Sequence, residues 1–265
     1  MLLAGVARDC RFFCGCAGMS RFAGSGDVGV AVVTGAGRRI GRELALGMAR
    51  RGLGIVVHHR GSIAAAAGLV DEIRGTGGAA VAVQADFEDP ESAAATVFRA
   101  AAELGEVRVL LNSAAIFEDR SLAELDAAHC NQHLSVNLLA PLFLAQQFER
   151  QLRSDSVGHI INLLDWRALR PGAAWLVYTA AKAGLAAATK TLAQQLAPRI
   201  QVNAVAPGAI LPPQDRPGWH AERALLRIPL QRTGAPADLL RAVDYLLDSP
   251  FVTGEILHVS GGEEL

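Results

Sequence analysis

Short runs of β-branched and other apolar residues alternate along the chain with longer Ala/Leu-rich stretches whose apolar positions recur every three or four residues. The short runs fall at 28–34, 54–58, 79–85, 107–112, 159–164, 200–206 and 256–260. Several are apolar without alternation, as in Gly54-Ile55-Val56-Val57. Such runs predict strands covered on both faces, the condition of a parallel sheet. The longer stretches predict helices at 39–51, 62–75, 90–104, 122–153, 174–197 and 236–248, with Pro141 bending the longest. The alternation predicts a Rossmann-type, doubly wound α/β fold: one parallel sheet of about seven strands in a single domain over 28–265. Residues 208–233 break the rhythm. They are rich in Pro and Gly and carry Trp219 and His220 ahead of a short helical stretch at 222–227, so they predict a lid over a site.

With 265 residues and 51% hydrophobic content the chain can bury one large core. Its formal charge of −1 gives no electrostatic reason to approach nucleic acid or an anionic membrane, so a small molecule is the expected partner. Cys10, Cys14 and Cys16 crowd the start of the chain, with Cys130 alone further on. No histidine or fourth cysteine stands beside the first three at ligand spacing, and the residues around them show no period. Residues 1–27 are therefore expected to be a disordered extension, with Met19 as an alternative start. The opening does not have the order of a secretory signal, no apolar run is long enough to cross a bilayer, and a reducing cytoplasm is the expected location.

Chemistry concentrates in three places. The first predicted strand runs into Thr34-Gly35-Ala36-Gly37-Arg38-Arg39-Ile40-Gly41 and then into a helix, the context in which glycines let backbone N–H groups approach a pyrophosphate. Gly35, Arg38, Arg39, Ile40 and Gly41 are the candidate contacts. The second strand ends at His58-His59-Arg60-Gly61-Ser62, with no acid to take a ribose hydroxyl. Arg60, helped by His59 and Ser62, suits a 2′-phosphate and so NADPH, while His58 reads as a surface residue. Third, Tyr178 and Lys182 stand one helical turn apart, in a chain with only two tyrosines and two lysines. An ammonium so placed is expected to lower the phenol's pKa and ready it for proton transfer. His129 and His133 share a helical face too, but lacking a third ligand they read as surface residues, and no metal is expected.

With Thr34-Gly35 leading to Gly41, then Asn137, Tyr178 and Lys182, and Pro207-Gly208 after the sixth strand, the chain resembles the short-chain dehydrogenase/reductase family over about 28–262. Within it, Arg39 in place of the turn's middle glycine, Asp165 in place of the serine before the tyrosine, and Phe117 resemble the pteridine reductase branch, including the dihydromonapterin reductases. The resemblance implies cofactor contacts at Asp86, Asn112, Ala114, Tyr178, Lys182, Pro207 and Gly208. It implies a water chain from Asn137 to Lys182, and a pterin held by Arg39, Phe117, Asp165 and Tyr178. Trp166 and Trp219 are the tryptophans expected near it. Three positions depart from the family: Ser113-Ala114-Ala115 after Asn112, the bulky Trp166, and Ala209-Ile210-Leu211 after Pro207-Gly208. Homotetramers are usual in the family, and the Ala-rich face at 173–188 suits close packing.

Asp165 sets the expected reaction. Hydride addition to a ketone builds negative charge on oxygen, which an ionised acid opposes. Reduction of a ring C=N bond protonates nitrogen, which a neighbouring acid can assist. The expected activity is therefore reduction of a dihydropteridine, with Tyr178 as proton donor and Asp165, Lys182 and Asn137 in support. Alternative readings leave Asp165 as a carboxylate salt-bridged to Arg167 or Arg170, and Phe117 as a core aromatic. At the level of function the alternatives are a reductase of oxoacyl or sugar ketones and an idle NADPH-sensing module.

Overall fold

The computed structural model describes residues 29–212 and 228–265. The extension at 1–27, Trp219 and most of the expected lid at 208–233 lie outside the described residues. Seven strands form one parallel sheet: β1 (Val30–Val33), β2 (Gly54–His59), β3 (Ala80–Gln84), β4 (Val107–Asn112), β5 (Gly158–Leu163), β6 (Ile200–Pro207) and β7 (Ile256–Val259). Their order is β3-β2-β1-β4-β5-β6-β7. The chain winds outward from β1 to β3 and then crosses to β4 on the other side, so strand order reverses between β1 and β4. A crevice opens at that reversal, beyond the carboxyl ends of the strands.

Helices cover both faces: α1 (Arg39–Arg50), α2 (Ile63–Gly75), α3 (Pro90–Ala101), α4 (Ala127–Leu134), α5 (Ala140–Gln151), α6 (Leu176–Leu196) and α7 (Pro236–Asp248). Alternate residues of β1 serve different cores. Ala31 and Val33 pack with Leu44 and Met48 of α1, Ile73 of α2 and Val243 of α7, whereas Val30 and Val32 pack with Val97 of α3 and Leu144 and Phe148 of α5. Two-sided burial explains the unbroken apolar runs.

The longest expected helix, at 122–153, is corrected by the structure. Leu122–Glu124 is a separate 3-10 turn, α4 begins at Ala127, and a π-helical segment, Ser135–Leu139, joins α4 to α5. Asp126 caps α4 by accepting the His129 N–H at 2.7 Å, which sets its start. The wide turn has a cause in Pro141: it has no N–H for the Asn137 carbonyl one turn back, so the α-helical ladder is interrupted there.

Candidate active site

The turn after β1 is shaped by backbone contacts too close for side chains. Gly35 has φ +65, and a Cβ there would meet the Ala114 Cα at 2.9 Å; a Cβ on Gly41 would meet the Gly35 oxygen at 2.4 Å. Only glycine accepts both conditions. Thr34 Oγ1 accepts the N–H groups of Ser113 and Ala114, each at 2.9 Å, which pins the loop after β4 against the turn. Arg39 stands where the turn's middle glycine is expected and keeps that backbone, with φ 57. A residue with a Cβ is strained there by about 1–2 kcal/mol. Its guanidinium donates to the Pro212 carbonyl at 3.1 Å and to Leu211 at 3.4 Å, holding the segment after β6.

His58 corrects the sequence reading. It is 2% exposed, not a surface residue. Its Nδ1 accepts the Gly35 N–H at 3.1 Å and its Nε2 faces the Ala85 carbonyl at 3.1 Å, so the neutral ring bridges the turn to the end of β3. Burial pushes its pKa down to about 4. The period-two alternation could not show this, because β2 is covered on both sides.

Gly35, Arg38, Arg39, Ile40, Gly41, His59, Arg60, Ser62, Asp86 and Ala114 line one groove of about 440 Å³. A dinucleotide fits the donor set. The α1 N-terminus carries no acid in its first turn, so its backbone dipole and Arg38 and Arg39 present positive charge. Arg60 is exposed at the rim, and no carboxylate follows β2 directly. Asn112 Nδ2 donates to Asn162 Oδ1 at 2.8 Å, and Asn162 Nδ2 to Thr189 Oγ1 at 2.9 Å, tying β4 and β5 to α6. Asn112 Oδ1 is buried without a partner.

The second half of the site sits at the start of α6. Its buried positions, including Tyr178, Ala181, Lys182, Leu185 and Ala186, follow helical spacing, so the phenol and the ammonium enter the protein on one face. The Tyr178 hydroxyl donates to Asp165 Oδ2 at 3.3 Å. Asp165 also accepts from the Arg167 N–H at 2.9 Å and from its guanidinium at 3.1 Å. The carboxylate is thus both an ion-pair partner of Arg167 and the neighbour of the phenol. Lys182, 3% exposed, donates to the Leu163 carbonyl at 2.7 Å. Burial pushes its pKa down to about 8, against the pull of Asp165.

The expected lowering of the phenol's pKa runs the other way. Burial, then the Asp165 charge and its hydrogen bond, hold Tyr178 well above its ordinary value, and Lys182 is not among the groups that shift it. The ammonium is spent on a carbonyl, and the nearest charge to the phenol is negative. Asn137 is fully buried and does not reach Lys182 directly. Its Oδ1 accepts the Ile116 N–H at 3.1 Å and its Nδ2 donates to the Ile116 carbonyl at 3.0 Å, clamping the loop after β4.

That loop presents Phe117, which is 51% exposed and therefore not a core aromatic. Its ring meets Tyr178 edge-on at 4.7 Å and stacks on Trp175 at 5.1 Å. Trp175 was passed over in the sequence. It caps α6 in the left-handed region, φ 58, with its N–H donated to Asp119 at 2.7 Å. The Arg167 guanidinium lies 4.7 Å from the Trp166 ring and 4.8 Å from the Trp175 ring. No linear spacing signals Trp175, because it comes from a different element than Phe117, whereas Arg167, two residues from Asp165, is the ion-pair partner that the alternative reading named. Pro207 ends β6, and the Gly208 N–H donates to the Val259 carbonyl at 3.0 Å.

The profile of the family described as short chain dehydrogenase matches residues 29–222. The chain belongs to the short-chain dehydrogenase family. A 3-oxoacyl-[acyl-carrier-protein] reductase of Synechocystis is 33% identical over 237 residues, covering 88% of this chain and 96% of that protein. Among solved structures, the FolM alternative dihydrofolate reductase 1 from Brucella canis, complexed with NADP, superposes with a TM-score of 0.85 at 33% identity, covering 89% of this chain and 94% of that one. A short chain dehydrogenase from Burkholderia cenocepacia in complex with NADP gives 0.83 at 31% identity, covering 90% and 99%. Short-chain dehydrogenase membership thus comes with relatives named for two different substrates. Among the described residues, no helix is long and apolar enough to cross a membrane.

Proposed function

We propose that the protein uses NADPH to reduce a dihydropteridine of the dihydrobiopterin, dihydromonapterin or dihydrofolate kind to its tetrahydro form. The observation that carries this reading is the hydrogen bond from Tyr178 to Asp165. A carboxylate beside the phenol opposes the oxyanion that ketone reduction builds, whereas it can orient the N–H groups of a ring whose nitrogen takes the proton. Exposed Phe117, edge-on to Tyr178, offers a face against which a flat bicyclic ring can stack. The likeness to the FolM reductase supports the same reading.

Gly35, Arg38, Arg39, Ile40 and Gly41 would hold the NADPH pyrophosphate, and His59, Arg60 and Ser62 its 2′-phosphate. Asp86 and Ala114, in the same groove, and Asn112, Pro207 and Gly208, which are not among its lining residues, would contact the remainder of the cofactor. When bound, it supplies the hydride. Tyr178, held protonated by burial and by Asp165, donates the proton to the ring nitrogen. Asp165, anchored by Arg167, fixes the direction of that hydroxyl. Lys182, held by the Leu163 carbonyl and still charged at neutral pH with a pKa of about 8, would hold the nicotinamide ribose. Asn137 steadies Ile116 and with it the loop that bears Phe117. Arg39 and Trp166 complete the substrate side, and the expected contact at Trp219 lies outside the described residues. A cytoplasmic homotetramer with no nucleic-acid or membrane partner belongs to the same proposal.

The second reading is reduction of an oxoacyl thioester, favoured by the relative named as a 3-oxoacyl-[acyl-carrier-protein] reductase. An NADPH-oxidation assay with dihydrobiopterin, dihydrofolate, an acetoacetyl thioester and a sugar ketone separates the two. The expected result is turnover of a pterin above any ketone, with Asp165→Ser losing pterin turnover by about tenfold or more while NADPH still binds. Preferred turnover of the thioester, or an Asp165→Ser enzyme unchanged on pterins, rejects the proposal. Tight NADPH binding without turnover of any of them would leave the sensing role.

A further inference from the structure

Glu118, His129 and His133 meet beside the Phe117 loop in a cluster that the reduction does not use. The two histidines lie one turn apart on α4, so both imidazoles leave the helix on one side, with ring centroids 4.4 Å apart. Glu118 comes from the loop after β4. One ligand atom from each of the three lies within 4.8 Å of the others. The third ligand missing from the sequence reading is therefore supplied by the fold, from a separate element.

Burial sets this trio apart from an ordinary surface group and corrects the sequence reading of both histidines. His129 is 4% exposed and His133 0%. Nδ1 of His129 and Nε2 of His133 are enclosed and have no hydrogen-bond partner. A buried ring nitrogen left unmatched is destabilising, and here two stand together. A metal ion that takes one lone pair from each ring satisfies both nitrogens, and the exposed Glu118 brings the balancing charge.

We propose that Glu118, His129 and His133 bind one divalent transition metal of the zinc class, with water completing the coordination. Two imidazoles and one carboxylate are the donors zinc accepts, whereas magnesium and calcium favour oxygen alone. Zinc bonds of about 2.0–2.2 Å require a tighter triangle than 4.8 Å. Glu118, exposed and on a loop, is the member able to swing in. On His133, Nδ1 lies 3.4 Å from Asn137 Nδ2, a donor by virtue of the Ile116 N–H on Oδ1, so the free ring carries its hydrogen on Nε2. Coordination through Nε2 moves that hydrogen to Nδ1 within the neutral ring and gives up the long contact to Asn137. The bound ion would tie the Phe117 loop to α4.

The test is titration of the full chain, stripped with a chelator, with Co²⁺ and then Zn²⁺, followed by visible absorption and calorimetry. Expected are one equivalent of Co²⁺ with the weak visible bands of a nitrogen–oxygen complex, and its displacement by Zn²⁺. The thermal midpoint should rise with Zn²⁺. Glu118→Ala, at an exposed position, should weaken Zn²⁺ binding by roughly tenfold or more and abolish that rise. His129→Ala should do the same, and Glu118→Ala decides alone if that variant does not fold. Cys10, Cys14 and Cys16 would announce a thiolate site instead by intense near-ultraviolet charge-transfer bands that survive Glu118→Ala. Binding of that kind only, no stoichiometric binding, or binding undiminished in Glu118→Ala overturns the proposal.

Discussion

At the end of β1 the Gly35 N–H rests on the neutral ring of buried His58, while at the start of α6 the Tyr178 hydroxyl rests on the charged Asp165–Arg167 pair. The first arrangement is made of backbone and excluded volume. Side chains are absent at Gly35 and Gly41 and uncharged at His58, and the charge that Arg38 and Arg39 add lines the groove outside that packed turn. The second is made of charges and rings brought from the loop after β4, the end of β5 and α6. On the proposed function the difference divides the labour of the site: the cofactor's pyrophosphate is the same whatever the substrate and can be met by fixed N–H groups, whereas the group to be reduced differs and must be read by side chains.

The comparison breaks most visibly at Tyr178. Replacing it by phenylalanine should lower turnover by about 10²–10⁴-fold with little change in NADPH affinity, because only the proton donor is removed; fluorescence titration of NADPH beside steady-state rates checks both halves. At the other end, His58 should govern acid stability. Its folded pKa of about 4 lies below the 6.5 of an ordinary histidine. The unfolded chain therefore binds more protons between those values, and the stabilisation present above pH 6.5 is lost as pH falls toward 4, by roughly 3 kcal/mol. Urea unfolding at pH 7 and pH 4.5 should show a smaller acid loss in His58→Gln than in the natural chain.

Gly41→Ala comes next. The added Cβ, aimed at the Gly35 oxygen, should lower stability by about 1–3 kcal/mol and weaken NADPH binding, measurable by thermal shift with and without cofactor. Phe117→Leu should be smallest. Loss of an aromatic face is worth about 0.5–1.5 kcal/mol, so KM for a pterin should rise several-fold at nearly unchanged kcat. If Phe117→Leu instead lowered kcat as far as Tyr178→Phe, the division between binding and chemistry would be wrong.

The fold was legible because two-sided burial leaves unbroken apolar runs, and six of the seven strand positions differ from the expected ones only at their ends. β4 and α7 have the expected bounds. The break in the long helix was legible only as Pro141, since a π turn has no periodic signature. At the site, Tyr178 and Lys182 stood out by residue type and spacing, and Asp165 by the resemblance to a family that has serine there. Trp175 and Glu118 did not, because each acquires its role from a neighbour on another element, while Arg167 was legible as the partner of nearby Asp165.

By itself the sequence determined the parallel α/β sheet, the glycine turn that leads into α1, and the pairing of Tyr178 with Lys182 on one helical face. These follow from periods of hydrophobicity and from the conformations that glycine alone accepts, both local properties. Only the tertiary structure decided that His58 is neutral and buried, that burial and Asp165 raise the Tyr178 pKa that Lys182 was expected to lower, and that Glu118 joins the two histidines. Burial and electrostatic environment are set by groups distant in the chain, and no local pattern encodes which of them will meet.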